Sequence, residues 1–81
     1  MLNNIFKKDR YLLVDLKQIQ TALTVLKVCD YTKATVCNCG WAKAPSCYFM
    51  RITVTDKKYN YICRMMKKYG VDLLDEKVVG Y

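Results

Sequence analysis

Hydrophobic and polar positions alternate with a period of two in one stretch of the chain and recur at three- and four-residue spacing in two others. Cys47 to Thr55 carries the clearest alternation, with Tyr48, Met50, Ile52 and Val54 on one side and Cys47, Phe49, Arg51, Thr53 and Thr55 on the other. That pattern predicts a half-buried strand. Tyr11-Leu12-Leu13-Val14 is a shorter β-rich run, and Asp15 with Gln18 three residues later resembles a capping box, so this strand is expected to feed straight into a helix. From there Leu16, Ile19, Ala22, Leu23, Leu26 and Cys29 share one stripe while Lys17, Gln20, Thr21, Thr24 and Lys27 fall opposite, which predicts an amphipathic helix ending near Cys29.

Asp30 to Lys33 reads as a turn and Ala34 to Trp41 as a strand, broken by Ala42-Lys43-Ala44-Pro45. The strands on either side of that break form a predicted hairpin. Asp56 is expected to cap a second helix whose stripe is Tyr59, Ile62, Cys63, Met66 and Tyr69, with Gly70 supplying a left-handed stop. Val71 should fold back onto the helix end, and a last strand is expected around Lys77-Val78-Val79.

The order strand, helix, strand, strand, helix, strand is that of the ferredoxin-like βαββαβ unit, an α+β fold with two helices on one face of a four-stranded antiparallel sheet. Right-handed crossovers would centre the first and third strands. Eighty-one residues supply one core, so residues 1–81 read as a single domain in which 1–9 are a flexible or packing N-terminal segment.

A hairpin turning over Ala42 to Pro45 would set Cys39 opposite Tyr48 and Cys37 opposite Met50, placing Cys37, Cys39 and Trp41 against the helices. Cys29 and Cys63 lie on the helical stripes, so four of the five thiols are expected inside and Cys47 on the other face. Small core residues are the plainest reading of buried cysteines. The alternative is a zinc site from Cys29, Cys37, Cys39 and Cys63, although Cys37-x-Cys39 is tighter than the usual ligand spacing. The stretch Cys39-Gly40-Trp41-Ala42 is similar over four residues to the Cys-Gly-x-Ala segment of a small family of sulfur or selenium carriers, whose preceding Pro-Arg and Ser-rich segment is missing here.

Charge changes the picture in one respect. Residues 1 to 70 hold thirteen Lys and Arg against four Asp, a net +9, and the remainder of the chain offsets this to +7 overall. Such a potential favours phosphate-rich or acidic partners, and it also promotes solubility. The chain has no histidine, one serine and three isolated glycines, so the usual nucleophile–base pairs and phosphate loops cannot be assembled and no enzyme is expected. No apolar run approaches the length of a membrane span, the first residues place charge after the apolar positions rather than before them, and an odd number of cysteines suits a reducing cytoplasm.

Two surfaces remain as candidates. Lys57, Tyr61, Arg64 and Lys68 form one stripe on the solvent side of the second helix, and Tyr11, Leu13, Phe49 and Arg51 should project from the uncovered face of the sheet. The first expectation is a small basic module, without cofactor, that binds a nucleic acid or nucleoprotein through the basic helix and through bases stacked on the sheet aromatics. The alternatives are a compact inhibitor or adaptor that grips a host protein, of the anti-CRISPR-like kind made by phages and mobile elements, and a thiol or zinc protein. The open sheet face could equally receive a second copy of the chain.

Overall fold

Alternation and helical stripes converge on a single apolar layer in the computed structural model, which describes residues 6–74. The chain runs β1 (Lys8–Asp15), a short 3-10 turn (Leu16–Gln18), α1 (Ile19–Val28), β2 (Thr35–Asn38), β3 (Cys47–Val54) and α2 (Asp56–Lys68). β3 is the central strand of an antiparallel sheet ordered β1-β3-β2. Leu12, Val14, Met50, Ile52 and Val54 point to one face and are buried with Ala22, Val25, Leu26 and Cys29 of the α1 region, Ile62 and Met66 of α2, and Val71. Fully burying side chains such as Met50 and Ile52, both with no exposed surface, stabilises a fold by about 1.5–3 kcal/mol each.

This arrangement corrects the expected four-stranded ferredoxin-like sheet: among the described residues the sheet has three strands and β1 is one of its edges. After α2 the chain is held by other bonds. Val71 N–H donates to the Met66 carbonyl at 2.8 Å and Gly70 N–H to that of Lys67, a Schellman closure with Gly70 at φ 79°. Asp72 N–H then donates to the side-chain oxygen of Gln18, so residues 71–74 follow the helix end and join no ladder, apart from one bond from Leu74 N–H to the Leu13 carbonyl. The strand expected at Lys77-Val78-Val79 lies outside the described residues, as do the first five residues of the chain.

Two caps also differ from the sequence reading. Gln18 does not reach back to Asp15; its amide nitrogen donates to the Gly70 carbonyl at 2.8 Å, so its two ends clamp the start of α1 to the end of α2. Asp15 instead accepts from Lys17 N–H and from the Ser46 hydroxyl, and these bonds hold its carboxyl below the ordinary carboxylate range. Thr55, not Asp56, caps α2 by accepting from Lys58 N–H. Asp56 is thereby left to pair with Arg10 and, at 3.9 Å, with Lys8, while the Arg10 guanidinium lies 4.6 Å from the centre of the Tyr59 ring. This cluster ties β1 to α2.

The hairpin register is shifted by one residue from the expected pairing. Cys37 is opposite Phe49, Val36 opposite Met50 and Asn38 opposite Tyr48. Asn38 causes the shift: its side chain accepts from Gly40 N–H at 2.7 Å and donates to the Pro45 carbonyl, which draws the chain out of the ladder into a wider loop with Gly40 at φ 74°. Because strand side chains alternate, the slip turns Cys37 and Cys39 to the open face and puts Val36 against the core. Ahead of the first residue of β2, the Tyr31 hydroxyl accepts from Thr53 N–H, beyond the Thr35–Arg51 pair.

The helix α1 closes with the same Schellman bonds as α2, Tyr31 N–H to the Leu26 carbonyl and Asp30 N–H to that of Lys27, but with Asp30 rather than glycine at φ 66°. A left-handed conformation costs a non-glycine residue about 1 kcal/mol. Asp30→Gly is therefore expected to raise stability by roughly 0.5–1 kcal/mol, read as a higher urea midpoint at unchanged slope.

Candidate functional site

Each candidate surface follows from which side of an element the core leaves uncovered. On α2, Ile62 and Met66 are buried, and at 100° per residue Lys57, Tyr61, Arg64 and Lys68 are turned at least 100° away from them, all four exposed. Lys57, Tyr61 and Arg64, with Lys58 and Thr55, line a shallow depression of about 350 Å³. The only acid in the helix, Asp56, is engaged by Arg10 and Lys8, and among the described residues these are the ion pairs formed. The stripe therefore presents cationic groups that no acid of the described fold pairs. Lys67 and Lys68 additionally sit in the last turn, where positive charge suits the helix dipole.

The open sheet face carries Tyr11, Leu13, Phe49 and Arg51, as the alternation predicts. Tyr11 is 54% exposed and meets the Phe49 ring edge-on, with centroids 5.5 Å apart. Tyr11, Leu13 and Phe49, together with Cys39 and Trp41 of the hairpin loop, line a depression of about 250 Å³. Trp41 thus belongs to the open face and not, as expected, to the helix-covered one. The charge along this face is mixed: Arg51 stands opposite Tyr11, while Asp9, opposite Thr53, accepts from the Thr53 hydroxyl, and Asp15 stands opposite Cys47.

These two surfaces lie on opposite sides of the molecule, because α2 packs on the face of the sheet from which Tyr11 and Phe49 point away. A ligand stacked on the sheet aromatics does not lie along the α2 stripe.

The thiols are redistributed by the register. Cys29 and Cys47 are buried, Cys39 and Cys63 partly buried, and Cys37 exposed, which corrects the expectation of four internal thiols with Cys47 the accessible one. Cys47 lies on the open side by alternation yet is covered, and its sulfur is 3.0 Å from that of Cys39. Burial, the hydrogen bond with Cys47 and the charge Cys47 can carry push the Cys39 thiol up to about 12. Burial likewise raises Cys29 and, with a bond to Cys63, Tyr59. Cys29 and Cys63 are on the helix side while Cys37 and Cys39 are on the open side, so the four thiols considered as zinc ligands do not converge. Among the described residues no group of three or more His, Cys, Asp or Glu is placed to hold a metal ion. No helix among them is long and apolar enough to cross a membrane.

Comparison of the chain with models of known protein families, with curated proteins and with solved structures finds no match.

The sequence reading missed the Cys39–Cys47 pair and the Arg10–Asp56 tie. The first was signalled by Asn38-Cys39-Gly40, an Asn two residues before a Gly, which predicts a side-chain-closed turn and hence the shifted register. Alkylation of the native protein followed by peptide mapping is expected to modify Cys37 first, with Cys29 and Cys47 protected until the protein unfolds; a protected Cys37 would contradict the observed register, and early labelling of Cys47 would contradict its burial.

Proposed function

We propose that this chain is a non-catalytic binding module that grips the phosphate backbone of nucleic acid through the solvent face of α2. The observation that carries this reading is the stripe Lys57, Tyr61, Arg64 and Lys68, flanked by Lys58 and Lys67, on the side of the helix opposite buried Ile62 and Met66. Cations at successive helical turns can follow a phosphate backbone, and Tyr61 between them offers a ring on which a base or sugar can rest. The amino-acid types available favour binding over catalysis, and five free thiols suit the reducing cytoplasm as its place of action.

A second reading belongs to the other side of the molecule. The Tyr11, Leu13, Phe49 and Trp41 surface, with acids at its ends and one arginine, suits a protein better than a polyanion. An adaptor or inhibitor would use this face to hold its target, or a second copy would cover it, while α2 stays available.

The two readings separate in one experiment. Fluorescence polarisation with single-stranded RNA and DNA at about 50 mM salt should show binding that weakens steeply as salt rises. Lys57→Glu with Arg64→Glu should lower affinity roughly tenfold or more and flatten the salt slope by about 0.7 for each phosphate no longer neutralised. Phe49→Ala should leave that affinity unchanged. Absence of binding at low salt removes the nucleic-acid reading, and weakened binding in Phe49→Ala alone moves the site to the sheet.

A further inference from the structure

We propose that Cys39 and Cys47 form a reversible redox couple, closing to an intramolecular disulfide across the β2–β3 hairpin when exposed to a small-molecule disulfide such as oxidised glutathione. This inference does not rest on the nucleic-acid reading, since the pair lies on the side of the sheet away from α2.

The geometry is that of two thiols already in contact. Their sulfurs are 3.0 Å apart, closer than two sulfurs ordinarily pack. Cys39 N–H donates to the Cys47 carbonyl at 3.0 Å, so the residues face one another at the point where the ladder gives way to the loop. Directly opposed antiparallel residues have Cα atoms about 4.5–5.5 Å apart, inside the range of about 4.4–6.8 Å that a disulfide spans. A bond of about 2.05 Å then requires the sulfurs to close by about 1 Å, a movement that side-chain rotation supplies. No other cysteine of the described residues competes for this geometry. Cys37 lies on the same strand opposite Phe49, and Cys29 and Cys63 belong to the helix side of the sheet.

The partial exposure of Cys39 and the burial of Cys47 assign the order of events. Cys39 loses its proton to solvent and attacks the external disulfide, forming a mixed disulfide and releasing one glutathione thiolate. Cys47 then loses its proton and attacks the Cys39 sulfur, forming the internal bond and expelling the second thiolate. The protein is oxidised by two electrons, the external disulfide is reduced to two thiols, and the two released protons balance the two thiolates. The scarcity of Cys39 thiolate at neutral pH makes the first step slow, and the proximity of Cys47 makes the second fast. The product pins the loop that carries Trp41 beside Tyr11, Leu13 and Phe49. Oxidation therefore fixes the shape of the open sheet face and leaves α2 as it is.

The test uses the full chain, reduced, freed of reductant, incubated with excess oxidised glutathione, then alkylated and digested with trypsin. Cleavage after Lys33, Lys43 and Arg51 releases peptides 34–43 and 44–51, which should remain joined until reduced. The titratable thiols of the monomer should fall by two, and its melting temperature should rise by roughly 10–20 °C. The link should survive Cys37→Ser and vanish in Cys39→Ser, a change at a partly exposed site that spares the core. The proposal is overturned if all five thiols persist, if only glutathione adducts or intermolecular dimers form, or if the joined peptides persist in Cys39→Ser.

Discussion

Met50 and Ile52 lie at the middle of the central strand with no exposed surface, and the burial of that one side of β3 determines where everything else goes. Both helices must cover the same face of the sheet to enclose these two side chains, Leu12 and Val14. α1 meets that demand with Ala22, Val25 and Leu26, and α2 with Ile62 and Met66. The consequence for function is immediate. Phe49 and Arg51, one residue away on the same strand, are turned outward, and the side of α2 remote from Ile62 is turned outward in the opposite direction. The fold therefore separates an aromatic surface from a basic one by the thickness of the molecule.

Polar contacts hold this layered arrangement at its ends. Gln18 bonds both Gly70 and Asp72, joining the start of α1 to the end of α2. Arg10 and Lys8 meet Asp56 and tie the first strand to the first turn of the last helix. The Arg10 pair is partly exposed to water, so its contribution is smaller than that of the apolar layer it flanks. Its structural effect is to remove the acid of α2 from the basic stripe.

The parts of this structure visible in the sequence are those governed by local periodicity. From Tyr48 to Val54 the alternation gives the correct inward and outward sides, whereas Cys47, outward by alternation, is covered. The stripe of α2 gives its basic side and, in Ile62 and Met66, its buried one, while Tyr69 at its end is exposed. What periodicity does not carry is pairing. A single residue, Asn38, closes the loop with its own side chain and moves β2 by one position, which is enough to turn Cys37 and Cys39 outward. Gln18 has the spacing of a capping residue but finds partners more than fifty positions away in Gly70 and Asp72, and Arg10 finds Asp56 in the same non-local way. The element order suggests a fourth strand at Lys77-Val78-Val79, which lies outside the described residues; up to Leu74 the chain follows the end of α2 through Val71 and Asp72. On the sites, the two candidate surfaces were legible and the thiol pair was not, since it depends on that one-residue shift.

The most direct measurement of which face the helices cover is solvent paramagnetic relaxation, with a soluble gadolinium chelate added to the isotopically labelled protein. Strong broadening is predicted for the Tyr11 ring resonances, clear broadening at Phe49, and none at the Met50 and Ile52 methyl groups. Protected Phe49 and Tyr11 rings with broadened Met50 and Ile52 methyls would place the helices on the other face of the sheet and contradict the arrangement described above.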